Sequence, residues 1–175
     1  NNLKIFDVEE LDTHGGSLRI YACKKKNKKL EMNVVKKIIS QEEKIGLFNH
    51  QKLNIFSNKI EKIKFNCLKF LIKQKKSNKK VYAYGAAAKG NTFLNYCGIK
   101  SDLIGGVFDL NPDKYGKYLP GSRIPILNPK EIKKRKPDFL IVLPWNIKNE
   151  IIKKYALIKD WNGNFVSFIP KLKVE

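Results

Sequence analysis

Short apolar strands that alternate with helical stretches across residues 75–175 predict an α/β domain with a mostly parallel sheet covered on both faces. The apolar run Val81-Tyr82-Ala83-Tyr84 passes directly into the small-residue bend Gly85-Ala86-Ala87-Ala88-Lys89-Gly90. That is the beginning of a strand-to-helix unit. Upstream, two strand-like runs around paired glycines and a long helical stripe predict a β-hairpin and a linker helix before the sheet.

In chain order, Ile5 to Val8 and Leu18 to Cys23 read as the hairpin strands, joined through Asp12-Thr13-His14-Gly15-Gly16. Residues 1–39 thus form the hairpin and its connector. From Ser40, the acceptors Gln41, Glu42 and Glu43 suit a helix start. Ile45, Phe48, Phe56, Ile60, Ile63, Cys67 and Phe70 then recur at helical spacing. This predicts a linker helix over 40–74, about 33 residues if unbroken, whose stripe serves as core. Residues 75–175 carry the sheet domain. Its later strands are expected at Leu103 to Asp109, Arg123 to Ile126, Phe139 to Leu143 and Asn164 to Phe168. Helices are expected through Cys97, near Pro129 to Lys133 and over Ile147 to Lys159. The order of elements makes this a Rossmann-like, doubly wound fold.

Composition narrows the partners. The longest apolar stretch, Phe139 to Trp145, is far below the roughly 20 residues that span a bilayer, so no membrane association is expected. The opening Asn1-Asn2-Leu3-Lys4 has no leader pattern and reads as a truncation. Cys23, Cys67 and Cys97 lie far apart, with only His14 and His50 to assist, which predicts free thiols in a reducing cytoplasm and no metal site. The formal charge is +20, yet of 36 basic residues only Arg19, Arg123 and Arg135 are arginine. Nucleic-acid readers favour arginine and interleaved aromatics. Lysine clusters at 24–26, 28–29, 75–76, 79–80 and 133–136 instead read as solvated surface, or as attraction for an anion such as a nucleotide-sugar diphosphate or RNA.

Open parallel sheets bind ligands beyond the carboxyl ends of their strands. Three loops qualify. The first, Tyr84 to Thr92, has small residues at Gly85, Ala86 and Gly90, a charge at Lys89 and an amide at Asn91. It is an incomplete dinucleotide loop, because Ala87 stands where glycine is usual, and a tight packing turn explains it as well. The second begins at Asp109, about 24 residues past Gly85, near the position of a ribose-binding acid. Capping of the turn Asn111-Pro112-Asp113 is the equal alternative. In the third, Trp145 offers a stacking face and Asn146 an amide, unless Asn146 caps the next helix. His14 completes the candidates as a turn histidine. No acid-base pair or nucleophile elbow is present, so no catalytic residue is assigned.

Taken in order, His14-Gly15-Gly16-Ser17-Leu18-Arg19, Tyr84-Gly85-Ala86-Ala87-Ala88-Lys89-Gly90-Asn91-Thr92, Asn95-Tyr96-Cys97-Gly98-Ile99, Asp109 to Lys114, Leu119-Pro120-Gly121, Ile124-Pro125-Ile126 and Leu143-Pro144-Trp145-Asn146 span nearly the whole chain. The set resembles the C-terminal domain of S-adenosylmethionine-dependent C-methyltransferases acting on nucleotide-linked deoxysugars. The resemblance implies that residues 3–23 close a preceding methyltransferase domain, and that a zinc-binding region and the S-adenosylmethionine site lie upstream. The fragment itself then binds no cofactor and is expected to be inactive alone. It further implies that the C-terminal domain helps hold a nucleotide-linked keto-sugar, deprotonated beside its carbonyl to accept the methyl group. Gly85 to Asn91 would meet the diphosphate or sugar, and Trp145-Asn146 the base or sugar. A free-standing dinucleotide-binding oxidoreductase domain and a basic nucleic-acid-binding module are the rival readings.

Overall fold

The computed structural model describes residues 1–13, 16–29 and 31–175. The chain forms two compact units, Asn1–Lys59 and Ile60–Glu175.

In the first unit, β1 (Leu3–Leu11) and β2 (Ser17–Lys24) pair as the expected antiparallel hairpin, with an irregularity between Ile5 and Asp7. Both strands run a few residues beyond their expected limits. Of the hairpin's described side chains only Val8 is buried. Helix α1 (Asn33–Ile45) packs on β1 through Val35, and the Met32 amide donates to the Phe6 carbonyl at 2.8 Å.

The single helix expected from Ser40 is in fact two. Val34, Val35, Ile38 and Ile39 carry the apolar spacing upstream, so α1 begins at Asn33, and Glu42 and Glu43 fall near its end rather than its start. Gly46 stops it at φ +84°, donating to the Glu42 and Glu43 carbonyls, a left-handed cap that suits glycine. The Asn49 side chain then accepts from the amides of Gln51 and Lys52 and caps α2 (His50–Lys76). The predicted core stripe holds only in the second unit. Cys67 and Leu71 are buried, whereas Ile45, Phe48 and Phe56 are exposed.

The second unit is a six-stranded sheet ordered β5-β4-β3-β6-β7-β8. Its strands are β3 (Val81–Tyr84), β4 (Val107–Phe108), β5 (Ile126–Leu127), β6 (Phe139–Val142), β7 (Asn164–Ser167) and β8 (Lys173–Val174). The first five in chain order are parallel, and β8 returns antiparallel along β7. Strand alternation divides the core. Val81, Ala83, Ile141 and Val166 face Cys67 and Leu71 of α2 and Leu94 and Cys97 of α3 (Ala88–Cys97). Tyr84, Phe108, Leu140 and Phe165 face Ile132 of α4 (Ile132–Arg135), Ile151 of α5 (Lys148–Lys154) and Tyr155. Each such buried aliphatic or aromatic side chain contributes about 1.5–3 kcal/mol, which makes the sheet the stable frame beneath its loops. Two strands are shorter than expected, because Gly105 and Gly106 lead into β4 and Pro125, without an N–H, precedes β5. The predicted helix over 147–159 likewise divides into α5 and a 3-10 segment, Ala156–Trp161.

All three cysteines are free; Cys67 and Cys97 are buried and Cys23 half-buried. A hydrogen bond to Cys97 and burial together push the Cys67 thiol up. The lysine clusters are exposed, as a solvated surface requires. Among the described residues no helix is long and apolar enough to cross a membrane, and no group of three metal-ligating side chains occurs.

Candidate functional site

Strand order runs outward from β3 to β4 and β5 on one side and through β6 to β8 on the other. The carboxyl ends of β3 and β6 therefore flank the point where the order reverses, the place where open α/β sheets hold ligands. Both small-residue and aromatic loops leave the sheet there.

Gly85 makes the bend. Its φ of +94° is a conformation that side chains resist, and a Cβ at this position would collide with the Pro144 ring. The glycine thus lets the loop after β3 lie against the loop after β6. Gly90 does the same one helical turn later, where an added Cβ would meet Leu143. Tyr84 points the other way. Its hydroxyl is hydrogen bonded to that of Tyr155 at 3.1 Å inside the core, where burial first and the shared bond second push its ionisation up. It holds the strand end from beneath the loop.

Asp109 closes the loop from the β4 side. One carboxylate oxygen accepts the Ala86 amide at 2.7 Å and the other the Asn111 amide at 2.9 Å. Lys114 reaches across to donate to the Ala86 carbonyl at 2.9 Å, and lies 3.4 Å from the same carboxylate. Both oxygens of Asp109 are thus engaged within the protein. The capping of Asn111 foreseen in the sequence is present, and the acid also ties two loops together. Meanwhile the Gly85 amide donates to the Phe108 carbonyl at 2.7 Å. Amides at 85 and 86 therefore face the protein.

What the bend leaves outward is the start of α3. Ala87, its N-cap, supplies no side-chain hydrogen bond. The first helical turn consequently presents N–H groups without intrahelical acceptors, at the positive end of the helix. Ala87, Ala88 and Lys89 are exposed there, and Asn91 follows half-buried, its Oδ1 enclosed with no hydrogen-bond partner among the described residues. The amides of that first turn suit an anion, whereas the Asn91 Oδ1, an acceptor, calls for a donor.

Trp145 is half-buried at the start of a short 3-10 turn, Trp145–Ile147, and with Phe93 and Phe168 lines a small crevice on the α3 side. Asn146 is exposed. It does not cap α5, whose N-cap is Ile147. His14 lies outside the described residues. Sequence reasoning therefore brought Gly85, Ala86, Lys89, Gly90, Asn91, Asp109, Trp145 and Asn146 to one end of the sheet. It passed over Lys114, quoted only as the end of the Asp109 string, and Tyr155. Nothing in the spacing of either residue signals a contact with a loop so far away in sequence.

The sequence matches the family described as C-methyltransferase C-terminal domain over residues 12–170. It is 29% identical over 174 residues to the C-methyltransferase NovU of Streptomyces niveus, covering 99% of this chain and 41% of that protein. The chain thus spans about two-fifths of the length of the curated relative it matches.

Proposed function

Because this chain belongs to the C-methyltransferase C-terminal domain family, we propose that it is the substrate-holding part of a C-methyltransferase acting on a nucleotide-linked keto-deoxysugar. The observation that carries this reading is the uncapped start of α3 beside the reversal of strand order, with Lys89 on its first turn. A diphosphate placed there meets helix amides and an ammonium together, which favours a doubly charged anion. Lys89 balances the charge, Ala86 keeps the approach open, Gly90 lets α3 seat against Leu143, and Asn91 and Asn146 offer amides to the sugar. Trp145 gives the sugar or base a flat apolar wall. Tyr84, Gly85 and Asp109 are positioning residues that fix the bend.

The strand order and the loop after β3 support reading the domain as Rossmann-like. S-adenosylmethionine serves the whole enzyme, but the residues here do not fit it. The acid that would bind ribose hydroxyls, Asp109, has both oxygens engaged by Ala86, Asn111 and Lys114. Methyl transfer is therefore assigned to a methyltransferase domain outside this chain, accompanied by a separate zinc-binding region, and the fragment is expected to be inactive alone. A cytoplasmic setting agrees with the free buried thiols Cys67 and Cys97.

Calorimetric titration of the chain with nucleotide-linked deoxysugars tests the reading. Binding is expected, and Lys89→Ala should weaken it about tenfold, the scale of one charge-assisted hydrogen bond. Absence of heat, or an affinity indifferent to the substitution, overturns it.

A further inference from the structure

Where β4 and β5 end, beside α4, the second unit holds a cleft of about 490 Å³, within the range of small-molecule sites. Its walls differ from the lysine-covered surface. Tyr115 and Tyr155 contribute rings, and Leu110 and Leu157 aliphatic area, with Leu110 55% exposed. Both phenols have their polar ends committed. The Tyr155 hydroxyl pairs with Tyr84 at 3.1 Å, and the Tyr115 hydroxyl donates to the Leu110 carbonyl at 3.3 Å. Tyr115 is left with a ring face to offer, whereas the Tyr155 ring is largely covered by its packing on Tyr84. Among the described residues the charged side chains on the lining are Lys130 and Lys133, with no carboxylate beside them. A flat, unsaturated body joined to negative charge is the chemistry such a cleft accepts.

Three links connect this cleft to the loop after β3. Tyr155 is bonded to Tyr84, the residue before Gly85. Leu110 follows Asp109, whose carboxylate holds the Ala86 amide. Tyr115 follows Lys114, whose ammonium holds the Ala86 carbonyl. From this juxtaposition we infer that the cleft is the nucleoside subsite, taking the base and ribose of the ligand whose diphosphate lies at the start of α3. The inference rests on the function proposed above and divides its ligand. The nucleoside occupies the α4 side of the sheet and the sugar is left to Trp145 on the α3 side.

Titration of the chain with inorganic pyrophosphate and with adenosine, guanosine, cytidine, uridine and thymidine diphosphates separates the two parts. At least one nucleoside diphosphate should bind ten times more tightly than pyrophosphate. Leu110→Asp places a repelling carboxylate in the cleft at an exposed position that the fold does not need, and should erase that gain while leaving pyrophosphate binding unchanged. Leu110→Met should keep the gain, and matching thermal unfolding of both variants and the parent confirms that the fold is intact. Nucleoside diphosphates no tighter than pyrophosphate, or a gain that survives Leu110→Asp, overturn the inference. Binding that depends on Lys89 but not on Leu110 sinks the cleft and leaves the loop reading standing. Dependence on Leu110 without dependence on Lys89 keeps the cleft as a nucleoside site and removes the diphosphate from α3. If neither probe binds, both readings fall.

Discussion

Gly85 concentrates the physics of the site in one residue. A side chain there faces two obstacles, the positive φ and the Pro144 ring. Gly85→Ala should therefore cost roughly 2–4 kcal/mol, from backbone strain plus overpacking. Chemical denaturation should show the loss as a lower midpoint at unchanged slope. A variant as stable as the parent would mean that the bend tolerates a side chain and that the two loops are not wedged together. The need for a small residue here was legible in the sequence, since a glycine directly after an apolar strand has few other uses. The identity of its neighbour was not, because Pro144 is remote in the chain. The same holds for Asp109. Its likeness to a ribose-binding acid is visible as spacing, while its actual partners, the Ala86 amide and Lys114, exist only after folding.

At the scale of elements, the start of the sheet is pinned by Asp138, which precedes β6. Its carboxylate accepts the Lys80 amide at 2.8 Å and pairs with Lys79 at 3.1 Å, joining the entry of β3 to that of β6. Burial works against ionisation, but the Lys80 amide and the Lys79 charge prevail and hold the carboxyl below its ordinary range. A depressed folded value makes the stabilisation present above the unfolded carboxylate range and lost as pH falls through the folded value. Asp138→Ala should thus lower stability by about 1 kcal/mol at neutral pH, given the solvent around this pair. The gap in melting temperature between variant and parent should close below about pH 4. A gap that is constant from pH 7 to pH 3 would contradict the pin. Element types were largely readable from periodicity; lengths were not. Gly46 turned one helix into two because left-handed caps depend on backbone dihedrals rather than on the apolar stripe. β8 escaped notice since a two-residue exposed strand, Lys173–Val174, carries no hydrophobic pattern.

For the whole molecule, the two units differ in how they are held. The sheet unit buries two clusters, one on each face. By contrast, the first unit exposes Leu3, Ile5, Leu18, Ile20, Ile45 and Phe48, more apolar surface than a self-sufficient domain of its size usually leaves in water. The chain covers 41% of the length of its curated relative. The proposed ligand face belongs to the sheet unit alone: it is the carboxyl end of the sheet, with the first turn of α3 at its centre. Backbone amide shifts of the labelled chain, followed by nuclear magnetic resonance during titration with a nucleotide-linked sugar, test this most directly. The amides of Ala87, Ala88, Lys89 and Trp145 should move together and saturate at one concentration, while those of β1 and β2 stay still. Shifts scattered over the exposed lysines, or gathered at the opposite end around Lys79 and Asp138, would contradict it.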